Sequence, residues 1–404
     1  MEMNSAEMGG SMALESWRIP MNCKLTGFLL LVLPLGGCRV HDFPQYPANY
    51  REYAYVTNSG SGTVTVIDVV NVRVDRELTV GPNPVAIAAS PTRDDVYVLT
   101  SGTPYVNGSV DIIDVEKNTV VATIPLHRQP VSIDVDAAGD RAYIANSGSN
   151  TISVVDLKAR RELAQIGAGE EPVAVRIAPD GKALVVANRH GNSVTVIDPS
   201  TGKVRSVFEG CPGAAGVVIL PDSSKVFAPC SAGHQVMVVA LARSDARAAQ
   251  SDRTDRLETL MDVGHGPVDL ALKPDGGEIF VSNSLSNTVS EIYNTSNEVG
   301  DTYMIGDEPV RGLVSSDNSL LYVANRHSQV VTVYSIDDGK RVGAIHVGDG
   351  PAALAFSAAG HLMFVADSRS DDVAVVRTAT RSLFTLIPAG NKPSAIVDKS
   401  FSVQ

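Results

Sequence analysis

Histidine is the most chemically versatile side chain in this 404-residue sequence, which contains eight of them. Imidazole ligates transition metals and haem iron, and it titrates near neutral pH. Five histidines, His127, His190, His234, His265 and His327, fall in polar, glycine-containing connections between apolar runs. Two belong to a repeated tripeptide, Asn188-Arg-His190 and Asn325-Arg-His327, so Arg189 and Arg326 accompany imidazoles as ready anion receptors. Glu170, Glu171, Asp307, Glu308 and Asp349 occupy other connections. Such a ring could hold a divalent metal or a haem-like cofactor. The spacing matches no known ligand motif, however: there is no His-x-Glu-x-His, no Cys-x-x-Cys and no Cys-x-x-Cys-His. No particular metal or cofactor is therefore assigned. The plainer alternative is that polar loops are rich in histidine and that Asn-Arg-His spread by duplication. No Ser-His-Asp arrangement, P-loop or dinucleotide fingerprint is evident, so no catalytic residue is assigned and the reading leans away from an enzyme.

The elements that must position these residues are written in a repeat. Tyr55-Val-Thr-Asn-Ser-Gly-Ser-Gly-Thr-Val-Thr-Val-Ile-Asp68 returns as Tyr143-Ile-Ala-Asn-Ser-Gly-Ser-Asn-Thr-Ile-Ser-Val-Val-Asp156 and from Val185 to Asp198. Weaker copies begin at Tyr97, Phe227, Phe280, Tyr322 and Phe364, and successive anchors are 42, 46, 42, 42, 53, 42 and 42 residues apart. Between copies lies a Gly-x-x-Pro turn, such as Gly306-Asp-Glu-Pro309, followed by an apolar run and a second turn. Each unit reads as four short strands, A to D, rich in β-branched residues, and no window shows a helical period. That pattern predicts an all-β fold, a β-propeller of eight four-stranded blades. The chain enters at strand B (residues 53–58) and ends on an orphan Pro393-Ser-Ala-Ile-Val397 that matches strand A. This last strand is expected to complete the first blade and so remove an open sheet edge. The surplus in the 53-residue interval falls at residues 244–256, a polar surface loop between strands C and D of blade 5. The surplus in the 46-residue interval falls in a B–C loop at residues 103–108.

The Tyr55-Val-Thr-Asn58 block, with its Gly-x-x-Pro and Val-Ile-Asp elements, resembles the YVTN-type β-propeller repeat. Members of that family occur in archaeal surface-layer proteins and bacterial periplasmic proteins. The resemblance covers residues 53–399 and implies the fold rather than a particular function. Its best-known members have seven blades, which makes seven the alternative to the eight counted here. Eight-bladed propellers include haem d1 and quinone-linked enzymes.

Alternation places the D–A and B–C connections at one end of the ring, here called the top, where propellers commonly bind ligands. The five histidines, Arg189, Arg326 and Arg311 belong to this candidate ligand face. Charges inside strand A are less expected, since that strand is innermost. Asp134 and Arg176 share one position in neighbouring blades and Asp269 and Arg311 share another, which predicts two inter-blade ion pairs or a polar channel lining. The turn asparagines, Asn58, Asn146, Asn188, Asn283 and Asn325, are expected to tolerate positive φ and to bond nearby backbone groups. Cys211 opens strand A and Cys230 ends strand B of blade 5, so a disulfide is expected in an oxidising compartment.

That compartment follows from the amino terminus. Met21 to Gly37 carries one lysine, an apolar run at residues 28–33 and small residues before Cys38. The run is too short to span a bilayer of ~30 Å and reads as a signal peptide at residues 1–37, with the true start expected at Met21. Leu35-Gly-Gly-Cys38 resembles a bacterial lipobox, which implies lipidation of Cys38, a linker at residues 38–52 and a single propeller domain at residues 53–404. Acyl chains together give stable membrane anchoring. Arg39, rather than an aspartate, follows the cysteine, which favours the periplasmic face of the outer membrane in a Gram-negative cell. The formal charge of −12 makes nucleic acid a disfavoured partner. The sequence thus predicts a cell-envelope lipoprotein that binds an envelope protein, a glycan or a small ligand at its top face. Its rival is a periplasmic redox or cofactor-binding propeller carrying haem d1, a quinone-linked group or a metal.

Overall fold

A computed structural model describes residues 44–243 and 250–403. The signal segment, Cys38 and His41 lie outside these residues. Among the described residues no helix is long and apolar enough to cross a membrane.

Eight four-stranded antiparallel sheets form the blades of a propeller ring, with strand A innermost and strand D outermost. The burial of each strand follows its place in the blade. Middle strands are covered on both faces by neighbouring blades and carry unbroken apolar runs, as in Leu184–Asn188, where every residue is buried. Outer strands face solvent; Arg73–Thr79 exposes all but one of its residues. Strand C bends at a register shift against strand D in blade after blade, for example between Val66 and Ile67, and such bulges increase local twist.

Blades adhere face to face through side chains of adjacent sheets. Tyr97, Leu99, Val110 and Ile112 of blade 2 interlock with Ile133, Ala142 and Ile144 of blade 3. Fully burying one such large side chain contributes about 1.5–3 kcal/mol, so the ring is held by many equivalent seams.

One seam is made differently. Pro393–Ser402 supplies strand A of blade 1 and pairs antiparallel with Tyr50–Asn58, so one sheet joins the first and last strands of the propeller. The closing strand is ten residues long. It outruns the five residues read from the repeat because Asp398 to Ser402 continue the ladder with Tyr50 to Ala54, and Phe401 packs against Tyr53. Glu52, buried here, accepts hydrogen bonds from the Tyr50 hydroxyl at 2.7 Å and from the Ala358 amide of blade 8 at 2.7 Å. Burial, and then the charge of Glu52, pushes the Asp398 carboxyl well above the usual carboxylate range.

The conserved-looking turn asparagines have a role other than the one expected of them. Asn58, Asn146, Asn188, Asn283 and Asn325 end strand B, are fully buried, and none has positive φ. Each Nδ2 donates to a hydroxyl seven residues on, in strand C: Thr65, Ser153, Thr195, Ser290 and Thr332, at 2.9–3.0 Å. A buried amide needs partners, so this position is a polar rivet between strands B and C. The left-handed positions go instead to Asn150, Asn192 and Asn287, four residues later. The glycine of the Gly-x-x-Pro turn rests on the rivet; a Cβ on Gly306 would lie 2.4 Å from Asn325 Cγ, which leaves room for hydrogen alone.

Candidate functional site

The candidate ligand-face residues divide into separate local arrangements. In blade 4, Arg189 and His190 both grip Glu171, Arg189 at 3.5 Å and His190 Nδ1 at 3.3 Å. In blade 7, Arg326 and His327 grip Glu308 in the same way, at 3.2 and 3.0 Å. The repeated Asn-Arg-His thus combines the buried rivet with a clamp tying the B–C loop to the glutamate before strand A of its own blade. These pairs are largely solvent-exposed, His190 by 77%, so each contributes at most about 1 kcal/mol. His127 is engaged elsewhere, with Nε2 3.1 Å from Glu162. His234 and His265 stack with ring centroids 4.3 Å apart, where blade 5 meets blade 6, and the Gly266 amide donates to His234 Nδ1. The five imidazoles therefore do not converge. Among the described residues no group of three or more His, Cys, Asp or Glu side chains is placed to hold a metal ion.

Cys211 and Cys230 are joined by a disulfide with Cα atoms 4.7 Å apart. Both are fully buried, so the bond belongs to the interior of blade 5.

The eight innermost strands enclose a central cavity of about 480 Å³. Its lining side chains are aliphatic, from Ala174 to Leu313, except for Ser132, Ser394, Arg176, Asp269 and Arg311. These residues stand one to four places after the turn prolines that open strand A. Arg311 and Asp269 form one of the two expected ion pairs, at 2.8 Å, and Asp269 also accepts the Gly312 amide at 2.8 Å. Asp269 is nearly buried, whereas half of the Arg311 side chain remains exposed. The other expected pair is looser. Asp134 takes the Ile177 amide of the next blade at 2.8 Å, and Arg176 donates to the Val175 carbonyl, so the two act on each other through space rather than by direct contact. Burial raises the Asp134 carboxyl above its usual range, and Arg176 opposes that rise. Both aspartates thus staple neighbouring inner strands, and two guanidinium groups from blades 4 and 7 line a channel whose other side chains are aliphatic apart from two serines and Asp269.

Sequence reasoning passed over another charged pair. Asp367 of blade 8 stands where five other blades carry the riveting asparagine, and it is fully buried. Its partner five residues on is Asp372, where four of the asparagine-bearing blades have Thr or Ser, and the Gly348 amide donates to Asp367 at 3.0 Å. Burial, then the neighbouring carboxyl of Asp372, pushes Asp367 far above the ordinary range. Asp372 is also raised, chiefly by burial. Aligning the repeats by their asparagine would have revealed this substitution; nothing in the two aspartates' own spacing does.

Comparison with known proteins agrees with the architecture. Residues 212–387 match a family described as lactonase, 7-bladed beta-propeller, and residues 129–231 match one described as YNCE-like beta-propeller. No curated protein shows significant sequence similarity to the chain. Among solved structures, dihydro-heme d1 dehydrogenase NirN in complex with DHE superposes with a TM-score of 0.70 at 15% identity, covering 88% of this chain and 76% of that one. Apo AztD from Citrobacter koseri gives 0.64 at 13% identity, with 88% and 99% covered. Kuenenia stuttgartiensis hydrazine synthase gives 0.55 at 22% identity, with 78% and 99% covered. At these identities the likeness concerns the fold. The chain is a β-propeller repeat protein, and its blade count of eight exceeds the seven in the description of the lactonase family.

Proposed function

We propose that the protein is a lipid-anchored propeller of the cell envelope, non-catalytic, that captures a small organic anion at the top face, in the mouth of its central channel. The observation that supports this reading is the pair Arg176 and Arg311. Among the described residues lining the cavity they are the only cations, the rest being aliphatic side chains, glycines, serines and the single carboxylate of Asp269. Guanidinium presents a planar fork of donors suited to carboxylate or phosphate. Enclosure by eight inner strands limits bulk water around the ligand and strengthens that attraction. Capture needs no nucleophile or general base, which agrees with a sequence where no catalytic constellation is evident.

Isothermal titration of the full chain in detergent with a dicarboxylate, succinate, and with inorganic phosphate tests the reading. Saturable binding that weakens at least ~10-fold in Arg311→Gln and in Arg176→Gln, a loss of ~1.4 kcal/mol, is the expected result. Anion binding unchanged by both substitutions, or absent altogether, overturns it.

The likeness to NirN, solved with a bound ligand, supports a second reading: a haem-type cofactor over the same mouth. Such a group carries carboxylates for Arg176 and Arg311, and His265, two residues before strand A of blade 6, is the nearest imidazole in sequence to an inner strand. A visible absorption band in protein purified from its native host would favour this reading over free-anion capture.

A further inference from the structure

The bottom face carries a cavity of about 640 Å³ between blades 7 and 8, on the opposite end of the ring from the proposed anion site. Its walls are the A–B turns at residues 315–319 and 357–360 and the C–D turn at residues 378–381, and its floor includes Tyr322 and Phe356. The matching position between blades 3 and 4, beside Tyr143 and Ile177, holds a smaller cavity of about 320 Å³, whereas at two other seams the protein itself closes the space. Between blades 1 and 2 the Tyr55 hydroxyl donates to Asn118, which occupies the left-handed C–D turn position that Arg381 holds in blade 8. Between blades 2 and 3 the Tyr97 hydroxyl is sealed from solvent. Between blades 7 and 8 the turns carry Ala358, Ala359, Gly360 and Ala379, and small residues leave the space open.

Two opposite charges flank that opening without meeting. Arg381 and Asp317 both line the cavity, and both act on the Tyr322 hydroxyl, in opposite senses. Among the described residues Arg381 makes no ion pair, and the Tyr322 hydroxyl makes no hydrogen bond. Asp317 is held ionised, because Ser315 and Ser319 donate to it: the two hydroxyls at 2.5 and 2.8 Å and the Ser319 amide at 3.1 Å. All three bonds fall on Oδ1 and leave Oδ2 for another donor. Phe356 packs edge-on to Tyr322, with ring centroids 5.6 Å apart, and adds an apolar wall with Leu320.

A lone anion would be repelled by Asp317 and a lone cation by Arg381, whereas a molecule bearing both charges satisfies each. We propose that this cavity binds a zwitterionic α-amino acid with an apolar side chain. Its carboxylate faces Arg381 and the Tyr322 hydroxyl, its ammonium donates to Asp317 Oδ2, and its side chain lies against Phe356 and Leu320.

Titration calorimetry of the full chain with L-leucine tests the site, with leucinamide lacking the carboxylate and N-acetyl-leucine lacking the ammonium. The expected result is saturable binding of leucine, weakened at least ~10-fold for either derivative and in Arg381→Gln or Asp317→Asn. Arg160→Gln, at the matching turn of blade 3, and Arg311→Gln in the channel should leave leucine binding unchanged, which separates this site from the anion site above. No saturable binding up to about 10 mM leucine, a ceiling near −3 kcal/mol, overturns the proposal. So does equal affinity for N-acetyl-leucine, or retention of binding in Arg381→Gln.

Discussion

Asp367 and Asp372 show how one substitution inside a repeat changes what a position can do. In five blades a neutral amide bridges strands B and C; in blade 8 two carboxyls, Asp367 and its cross-strand neighbour Asp372, face each other there and share a proton. The folded state therefore favours their protonated form. A carboxyl raised in this way contributes its full stability below the ordinary value of 3.8, and that contribution is lost as pH rises through the folded value of about 8. Asp367→Asn restores the amide and lets it donate to an ionised Asp372. The melting temperature of this variant should exceed that of the parent by roughly 2–4 °C near pH 9, with little difference near pH 4. Differential scanning fluorimetry across pH reads this directly, and a variant that melts lower than its parent at alkaline pH would refute the shared-proton account. The residue-scale features that sequence reasoning found, such as Asn-Arg-His, were visible because they recur. Asp367 was missed because it is visible only as a departure from recurrence.

At the scale of elements, two devices fasten particular strands. The Cys211–Cys230 bond ties strand B of blade 5 to the turn that leads into its short strand A. Replacing both cysteines with alanine should lower unfolding free energy by ~3 kcal/mol in the loop-entropy model, measured by urea titration. No change in the urea midpoint would mean that packing in blade 5 already fixes the loop. The closing strand is the second device. Deleting residues 393–404 exposes the inner edge of strand B in blade 1 and removes the Asp398–Glu52 contact, so the shortened chain should lose cooperative unfolding and aggregate. Light scattering alongside a thermal melt checks this outcome. The existence of this strand was legible from its orphan Pro393, since a repeat entered at strand B must finish at strand A. Its full length was not, because Asp398 to Ser402 pair with residues upstream of the first repeat copy, where no periodicity guides the eye.

For the whole molecule, function depends on which connections the ring brings together. Five histidines on one end looked like a potential ligand sphere, yet blades hold their loops apart, and the imidazoles settle into glutamate clamps and one stacked pair. The inner strands do converge, so the sparse charges on them, Arg176 and Arg311 above all, come to share one channel. Because that channel is lined by side chains from every blade, its anion affinity should fall with added salt less steeply than a surface site would. Titration of succinate at low and high ionic strength measures the slope, and a steep loss on going to about 0.15 M salt would place the binding on the exposed loops instead. The bottom cavity follows the same logic, since its opposing charges belong to turns 64 residues apart, Asp317 and Arg381.

The sequence by itself determined the strand order, the blade count and the manner of closure. Those properties are local and repeated: β-branched runs, fixed turn chemistry and a constant period leave few ways to bury the apolar faces. It also laid out the candidate residues and the end of the ring where each belongs. Only the tertiary structure decided which of them meet. Whether Arg311 reaches Asp269, whether Arg176 reaches Asp134, and whether a gap between two blades is filled or left open depend on side-chain size and direction across blade boundaries. A period along the chain carries no information about those contacts.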